Sequence, residues 1–129
     1  MVLVDSSVWI AVFRRVRPLD ITSLVAFDDI VTCLPIVQEV LQGFRDEGAY
    51  RKAKQAMLSL PIVDSPVDAG LFESAVDLYR SARRSGITIR SSVDCLIAAT
   101  AIRHGLEVIH RDRDFTALAK IAALQQRAV

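Results

Sequence analysis

Short, uninterrupted apolar runs, set between stretches of helical periodicity, constrain this chain more than any other feature. Val2–Leu3–Val4 and Ile30–Leu34 are β-branched and apolar with no polar alternation. That is the pattern of strands covered on both faces. Pro61–Val63 and Leu106–His110 read as further strands, and the tail as one last short strand. Helical stretches fall between them. One follows the capping residues Asp5–Ser6–Ser7 and runs from about Val8 to Arg14, and a short one follows Asp20. Pro35 opens another, with Val37, Val40, Leu41 and Phe44 at i, i+3, i+4, i+7 spacing. Gly48–Leu60 is amphipathic, Ser65–Pro66 starts a helix running to Arg84 and stopped by Gly86, Ser91–His104 is a helix ended by Gly105, and Phe115–Ala122 is the last. Doubly covered strands alternating with helices predict an α/β chain, a three-layer α/β/α sandwich around a short, mainly parallel sheet.

At 129 residues the expectation is one domain over 1–129, large enough to bury a core. The 16 basic residues against 15 acidic ones exclude a polycationic arm or an acidic tail as the defining feature. No apolar run is long enough for a membrane span, and the N-terminal charges follow the apolar run, the wrong order for a signal peptide. Cys33 and Cys95 lie inside apolar runs without metal-ligand spacing and read as buried free thiols. The expected location is therefore the cytoplasm. Thirteen of the 16 basic residues are arginine, the side chain whose planar fork suits phosphates and carboxylates.

Glycine-rich phosphate loops, a nucleophile elbow and zinc-ligand spacing around His104 or His110 are all missing. Carboxylates at strand ends remain. Asp5 follows the first strand and Asp112 follows Leu106–His110 by two residues, so parallel strands bring both to one sheet edge. Taken singly, Asp5 is equally a helix cap and Asp112 a turn residue. Ser91–Ile102 carries one charge, Asp94, in twelve residues, the mark of a buried helix. Ser91 and Asp94 fit a capping box; a buried carboxylate with no Lys or Arg between Ser91 and Ile102 equally calls for a metal ion. Glu39 lies off the apolar stripe of its helix and reads as solvated. If these four acids converge without His or Cys, the site suits Mg²⁺ or Mn²⁺ and phosphodiester chemistry. Arg80, Arg83, Arg84 and Arg90 form a run without acids, and Arg111 and Arg113 flank Asp112. They read as a solvated face or, beside the acids, as a phosphate track. Trp9, Phe13, Phe44 and Phe72 occupy core-like helical positions and read as packing.

Four segments together resemble the PIN-domain ribonucleases, more narrowly the VapC-type toxins of toxin–antitoxin pairs. They are Val-Leu-Val-Asp-Ser-Ser-Val-Trp-Ile at 2–10, Pro-Ile-Val-Gln-Glu-Val-Leu-Gln-Gly at 35–43, Ile-Arg-Ser-Ser-Val-Asp-Cys-Leu-Ile-Ala-Ala at 89–99 and His-Arg-Asp-Arg-Asp-Phe at 110–115. The resemblance implies catalytic acids at Asp5, Glu39, Asp94 and Asp112, with Asp5, Asp94 and Asp112 on the metal. It implies auxiliary roles for Ser7 and Asp114; beside such acids the phosphate-track reading makes Arg83, Arg84, Arg90, Arg111 and Arg113 the expected RNA contacts. Ser6 stands where Thr is common, and His110 where a hydroxyl residue is common, which argues against a hydroxyl role there. The implied activity is Mg²⁺-dependent cleavage of RNA such as tRNA or rRNA, with Mn²⁺ as a substitute. The implied partners are a second copy and a small VapB-like antitoxin that covers the acidic pocket. Two other readings of the same residues are a non-catalytic RNA- or protein-binding module and a housekeeping RNA-processing nuclease. A phosphate-accepting receiver domain fits less well, since the first strand ends in a single acid.

Overall fold

A computed structural model describes residues 1–129. Strand β1 (Val2–Val4) is central, and the sheet order is β2-β1-β3-β4, with β2 (Ile30–Val31), β3 (Glu107–His110) and β4 (Gln126–Ala128) all parallel. Leu3, Val4, Ile30, Val108 and Ile109 are 0–1% exposed, as doubly covered strands require. The helices that cover them are α1 (Ser6–Phe13), α2 (Leu34–Leu41), α3 (Glu47–Leu58), α4 (Ala69–Arg84), α5 (Ser92–His104) and α6 (Arg113–Leu118). The expected parallel α/β architecture is the observed one.

Some local expectations change. The stretch after Asp20 makes only short 3₁₀ turns, Ile21–Ser23 and Phe27–Asp29, with the Asp20 carboxylate accepting from the Thr22 N–H at 3.0 Å. Ile62 forms a lone parallel bridge to Thr32 rather than a strand. Helix α4 begins at Ala69, not at Ser65–Pro66, because Asp68 supplies the cap, its carboxylate accepting from the Leu71 N–H at 2.8 Å. The last helix closes earlier than Ala122, at Leu118.

Helix α5 is the buried helix its composition demanded. Seven of its residues are buried, Asp94 and Thr100 among them. Gly105 ends it at φ 64°, a left-handed conformation that favours glycine. Arg103, in its last turn, clamps the segment before α4 by reaching Asp68 at 2.8 Å and Asp64 at 3.1 Å. Cys33 and Cys95 are buried and unpaired by any disulfide. No helix is long and apolar enough to cross a membrane.

Candidate acidic site

From β1 the chain moves to β2 on one side and later to β3 on the other. The crevice at the carboxyl ends of β1 and β3 is therefore the switch point where open parallel sheets bind ligands. Asp5 leaves β1 there, its N–H donating to the Ile109 carbonyl at 2.9 Å. Asp112 leaves β3 two residues after His110. Because α5 leads directly into the start of β3, its own first turn, with Asp94, returns to the same edge.

Asp5 caps α1 with one oxygen, as one of its readings has it, and leaves the other without a partner. Oδ2 caps α1, accepting from the Ser7 N–H at 3.1 Å and the Ser7 hydroxyl at 2.5 Å. Oδ1 is buried and accepts no hydrogen bond. For Asp94 the capping-box reading fails. The Ser91 N–H that a capping box would hand to Asp94 donates instead to Asp114 Oδ2 at 3.1 Å, beside the Arg90 N–H at 3.0 Å. Asp94 is 3% exposed, and its Oδ2 too is buried without a partner. Asp112 caps α6, accepting from the Asp114 N–H at 2.9 Å, and is half-buried rather than a solvated turn residue. Glu39 is half-buried as well, against the solvated reading, and its Oε1 accepts from the Ser6 hydroxyl at 3.3 Å.

The five acids form two overlapping sets. Carboxylate oxygens of Asp5, Glu39 and Asp94 lie within 4.8 Å of one another, as do those of Asp94, Asp112 and Asp114. Asp94 belongs to both. Burial raises its pKa far above the ordinary carboxylate range, and Asp114, Asp112 and Asp5 push it further. Burial also raises Asp5, although the hydrogen bonds from Ser7 oppose it. Glu39 is raised by burial and then by the Asp5 charge. Against these charges stands Arg90 alone, 3.6 Å from Asp112 and 3.9 Å from Asp114, with its side chain 55% exposed. So exposed a cation offsets little of the buried negative charge.

The donor set fits a hard divalent cation. Two buried carboxylate oxygens lack any proton donor, and every candidate ligand is oxygen. Burial pushes the Cys33 thiol up to about 12, so it stays protonated and is no competing soft ligand. Both ring nitrogens of His110 are engaged elsewhere, by Gln126 and by the Asp112 N–H.

All five arginines expected to hold RNA are exposed. Arg90 reaches the site itself, and Arg113 starts α6 beside Asp112. Arg111 is tethered, its N–H donating to the Ser7 hydroxyl at 3.0 Å and its Nε to the Val129 carbonyl at 3.2 Å. Arg83 and Arg84 close α4, separated from α5 by a short loop, and Arg83 lies over the Tyr79 ring at 5.1 Å. Among the aromatics expected to pack, Trp9 is buried and Phe13 stacks on it, with Phe44 edge-on to Phe13. Phe72 is the exception. It is 53% exposed and lines an apolar hollow with Val76, Tyr79, Val93 and Leu96. Neither the role of Ser6 nor the depth of Asp114 is legible in the sequence, since a hydroxyl beside a cap and an acid in a helix start give no sign of what they will touch.

The fold and site thus define a parallel α/β protein with an all-carboxylate cluster at its switch point. The chain belongs to the PIN domain family, whose pattern matches residues 2–121. It is 39% identical over 132 residues to VapC ribonuclease Mb1587 of Mycobacterium bovis and equally to Ribonuclease VapC11 of Mycobacterium tuberculosis, covering 97% of this chain and 96% of each relative. Its fold is similar to that of VapBC-5 from Mycobacterium tuberculosis, with TM-score 0.74 and 24% identity over 99% of this chain and 98% of that one. It is also similar to Mycobacterium tuberculosis VapC20, described as a sarcin-ricin loop cleaving toxin, with TM-score 0.72 and 20% identity over 97% and 99%.

Proposed function

We propose that this chain is a metal-dependent endoribonuclease, the toxin of a toxin–antitoxin pair, with residues 1–129 acting as one PIN domain. The carrying observation is the pair of buried, unpartnered carboxylate oxygens on Asp5 and Asp94, two residues far apart in sequence that share one crevice. The full-length likeness to VapC ribonucleases supports the same reading. Asp5, Asp94 and Asp112 would hold Mg²⁺, with Mn²⁺ as a substitute, and the ion would supply water activation and charge neutralisation at the phosphate.

The rest of the work belongs to side chains. Ser7 fixes the Asp5 carboxylate through two hydrogen bonds, so the free oxygen keeps one direction. Glu39 has one oxygen engaged by Ser6 and offers the other to orient the attacking water and take its proton. Asp114 spends Oδ2 on the start of α5 and so holds Asp94 in place. Arg83, Arg84, Arg90, Arg111 and Arg113 provide the phosphate contacts, consistent with a structured RNA such as tRNA or rRNA. Partners on this reading are a second copy and a small VapB-like antitoxin, all within the cytoplasm. The exposed Phe72 and Val76, beside the crevice-facing helix α5, offer apolar surface for such partners.

The test is cleavage of bulk RNA with Mg²⁺ by the wild type, Asp5→Asn and Asp94→Asn. Each substitution keeps side-chain shape and lowers cleavage at least about 100-fold, beyond what loss of an outer ligand partner brings. Undiminished cleavage by a folded Asp94→Asn protein rejects the assignment. A folded wild type that neither binds Mn²⁺ nor gains thermal stability from it would favour the non-catalytic binding module instead.

A further inference from the structure

We propose that His110 is the positioning residue of Asp112, and that the C-terminal strand β4 fixes it in that role through Gln126. His110 is 1% exposed, its ring packed against Phe115 with centroids 5.2 Å apart. The Asp112 N–H lies 3.1 Å from His110 Nδ1, and Gln126 Oε1 lies 2.6 Å from His110 Nε2.

A backbone N–H cannot change its role. It donates, so Nδ1 must present a lone pair and the proton must sit on Nε2. That proton in turn requires the oxygen of Gln126, not its amide nitrogen, to face the ring. The assignment is therefore forced from the backbone outward. The geometry is that of an Asx turn, with a ring nitrogen in place of the side-chain oxygen and the same i to i+2 reach. It sets the Arg111–Asp112 peptide and thus the direction in which Asp112 leaves the sheet.

Strand β4 and the residue after it secure this segment twice more. The Val129 N–H donates to the His110 carbonyl at 3.0 Å, and Arg111 Nε donates to the Val129 carbonyl at 3.2 Å. The last four residues therefore brace the loop that bears Asp112 and leads into α6, although none of them carries a carboxylate side chain. Loss of the Gln126 acceptor leaves the Nε2–H unpaired and so lowers the cost of the other tautomer, whose Nδ1–H would face the Asp112 N–H. Gln126, remote from the cluster in sequence, thus acts on it by fixing a proton.

The consequence for the metal rests on the function proposed above; the positioning itself does not. Two readouts on the full chain separate them. Hydrogen exchange of the Asp112 amide, followed by ¹⁵N NMR without metal, reads the positioning. Mn²⁺ titration reads the metal site. His110→Phe keeps the ring and removes both nitrogens, and Gln126→Met removes only the acceptor. Both should speed Asp112 amide exchange at least about tenfold and weaken Mn²⁺ binding by about tenfold, the scale of lost outer-sphere support. His110→Asn places an oxygen near the Nδ1 position and should restore slow exchange, a rescue that simple packing would not give. Equal exchange in wild type and His110→Phe, or equally fast exchange in His110→Asn and His110→Phe, overturns the proposal. The predicted exchange pattern in a protein that takes up no Mn²⁺ upholds the positioning role and rejects the metal assignment instead.

Discussion

Asp94 is a carboxylate that is costly to bury and that both sets of acids share. Its pKa is raised, chiefly by burial and then by its acidic neighbours. The folded chain therefore holds the proton more tightly than the unfolded chain does, and each step up in pH through that interval favours unfolding. Metal-free protein should lose thermal stability as pH rises from about 5 to about 8, the opposite of an acid held by a salt bridge. Asp94→Asn should flatten that slope and raise the metal-free melting temperature at the upper end. Mn²⁺ should reverse the slope for wild type and leave the variant unchanged. Melting curves at several pH values, with and without Mn²⁺, check all three. Asp68 behaves in the contrary way: the hydrogen bonds and charge of Arg103 hold its carboxyl down to about 2. Its contribution is present above the ordinary carboxylate range and is lost only as pH falls through that lowered value, outside the window used for Asp94.

Among the elements, the start of α5 is the one whose placement decides the site. Its own cap residue, Ser91, makes no side-chain cap bond. Asp114, from across the fold, takes instead the N–H groups of Arg90 and of the cap residue Ser91 on one oxygen. A helix capped from another helix is positioned as well as stabilised, because the cap fixes α5 against α6. Asp114→Ala should cost about 1–2 kcal/mol, the scale of a lost helix cap, measurable by urea denaturation. It should also weaken Mn²⁺ binding while the remaining carboxylates are intact. An α1 capped by Asp5 and an α6 capped by Asp112 repeat the theme. Three acids of the cluster hold helix starts, and their remaining oxygens face the crevice chemistry.

For the molecule as a whole, a net charge of +1 conceals two opposed regions. Acids collect at one sheet edge, and exposed arginines lie on the segments around it. RNA binding should therefore weaken with salt despite the near-neutral total. Replacing Arg83 and Arg84 with Gln should lower RNA affinity and flatten the dependence of log affinity on log salt by about 0.7 for each phosphate no longer neutralised. Both residues lie beyond the acidic cluster, so Mn²⁺ uptake should be unchanged. A filter-binding series across salt concentrations measures the slope, and an unchanged slope removes these two residues from the RNA surface.

Much of this architecture is legible in the chain before folding is considered. Uninterrupted β-branched runs can be buried only between two helical layers, so the parallel α/β arrangement follows from local pattern. Asp5, Asp94 and Asp112 stand out because strand ends and a nearly chargeless helix make a carboxylate conspicuous. Glu39 cannot be placed by periodicity, since its helix stripe says which face packs, not what lies opposite. Nor can spacing reveal that Asp114 takes the Ser91 N–H from Asp94, or that Gln126 fixes the proton on His110. Local sequence sets which elements form and which faces they bury, because those preferences act over a few residues. Which oxygen is left without a donor depends on partners brought together from distant segments, and only the packed tertiary structure decides that.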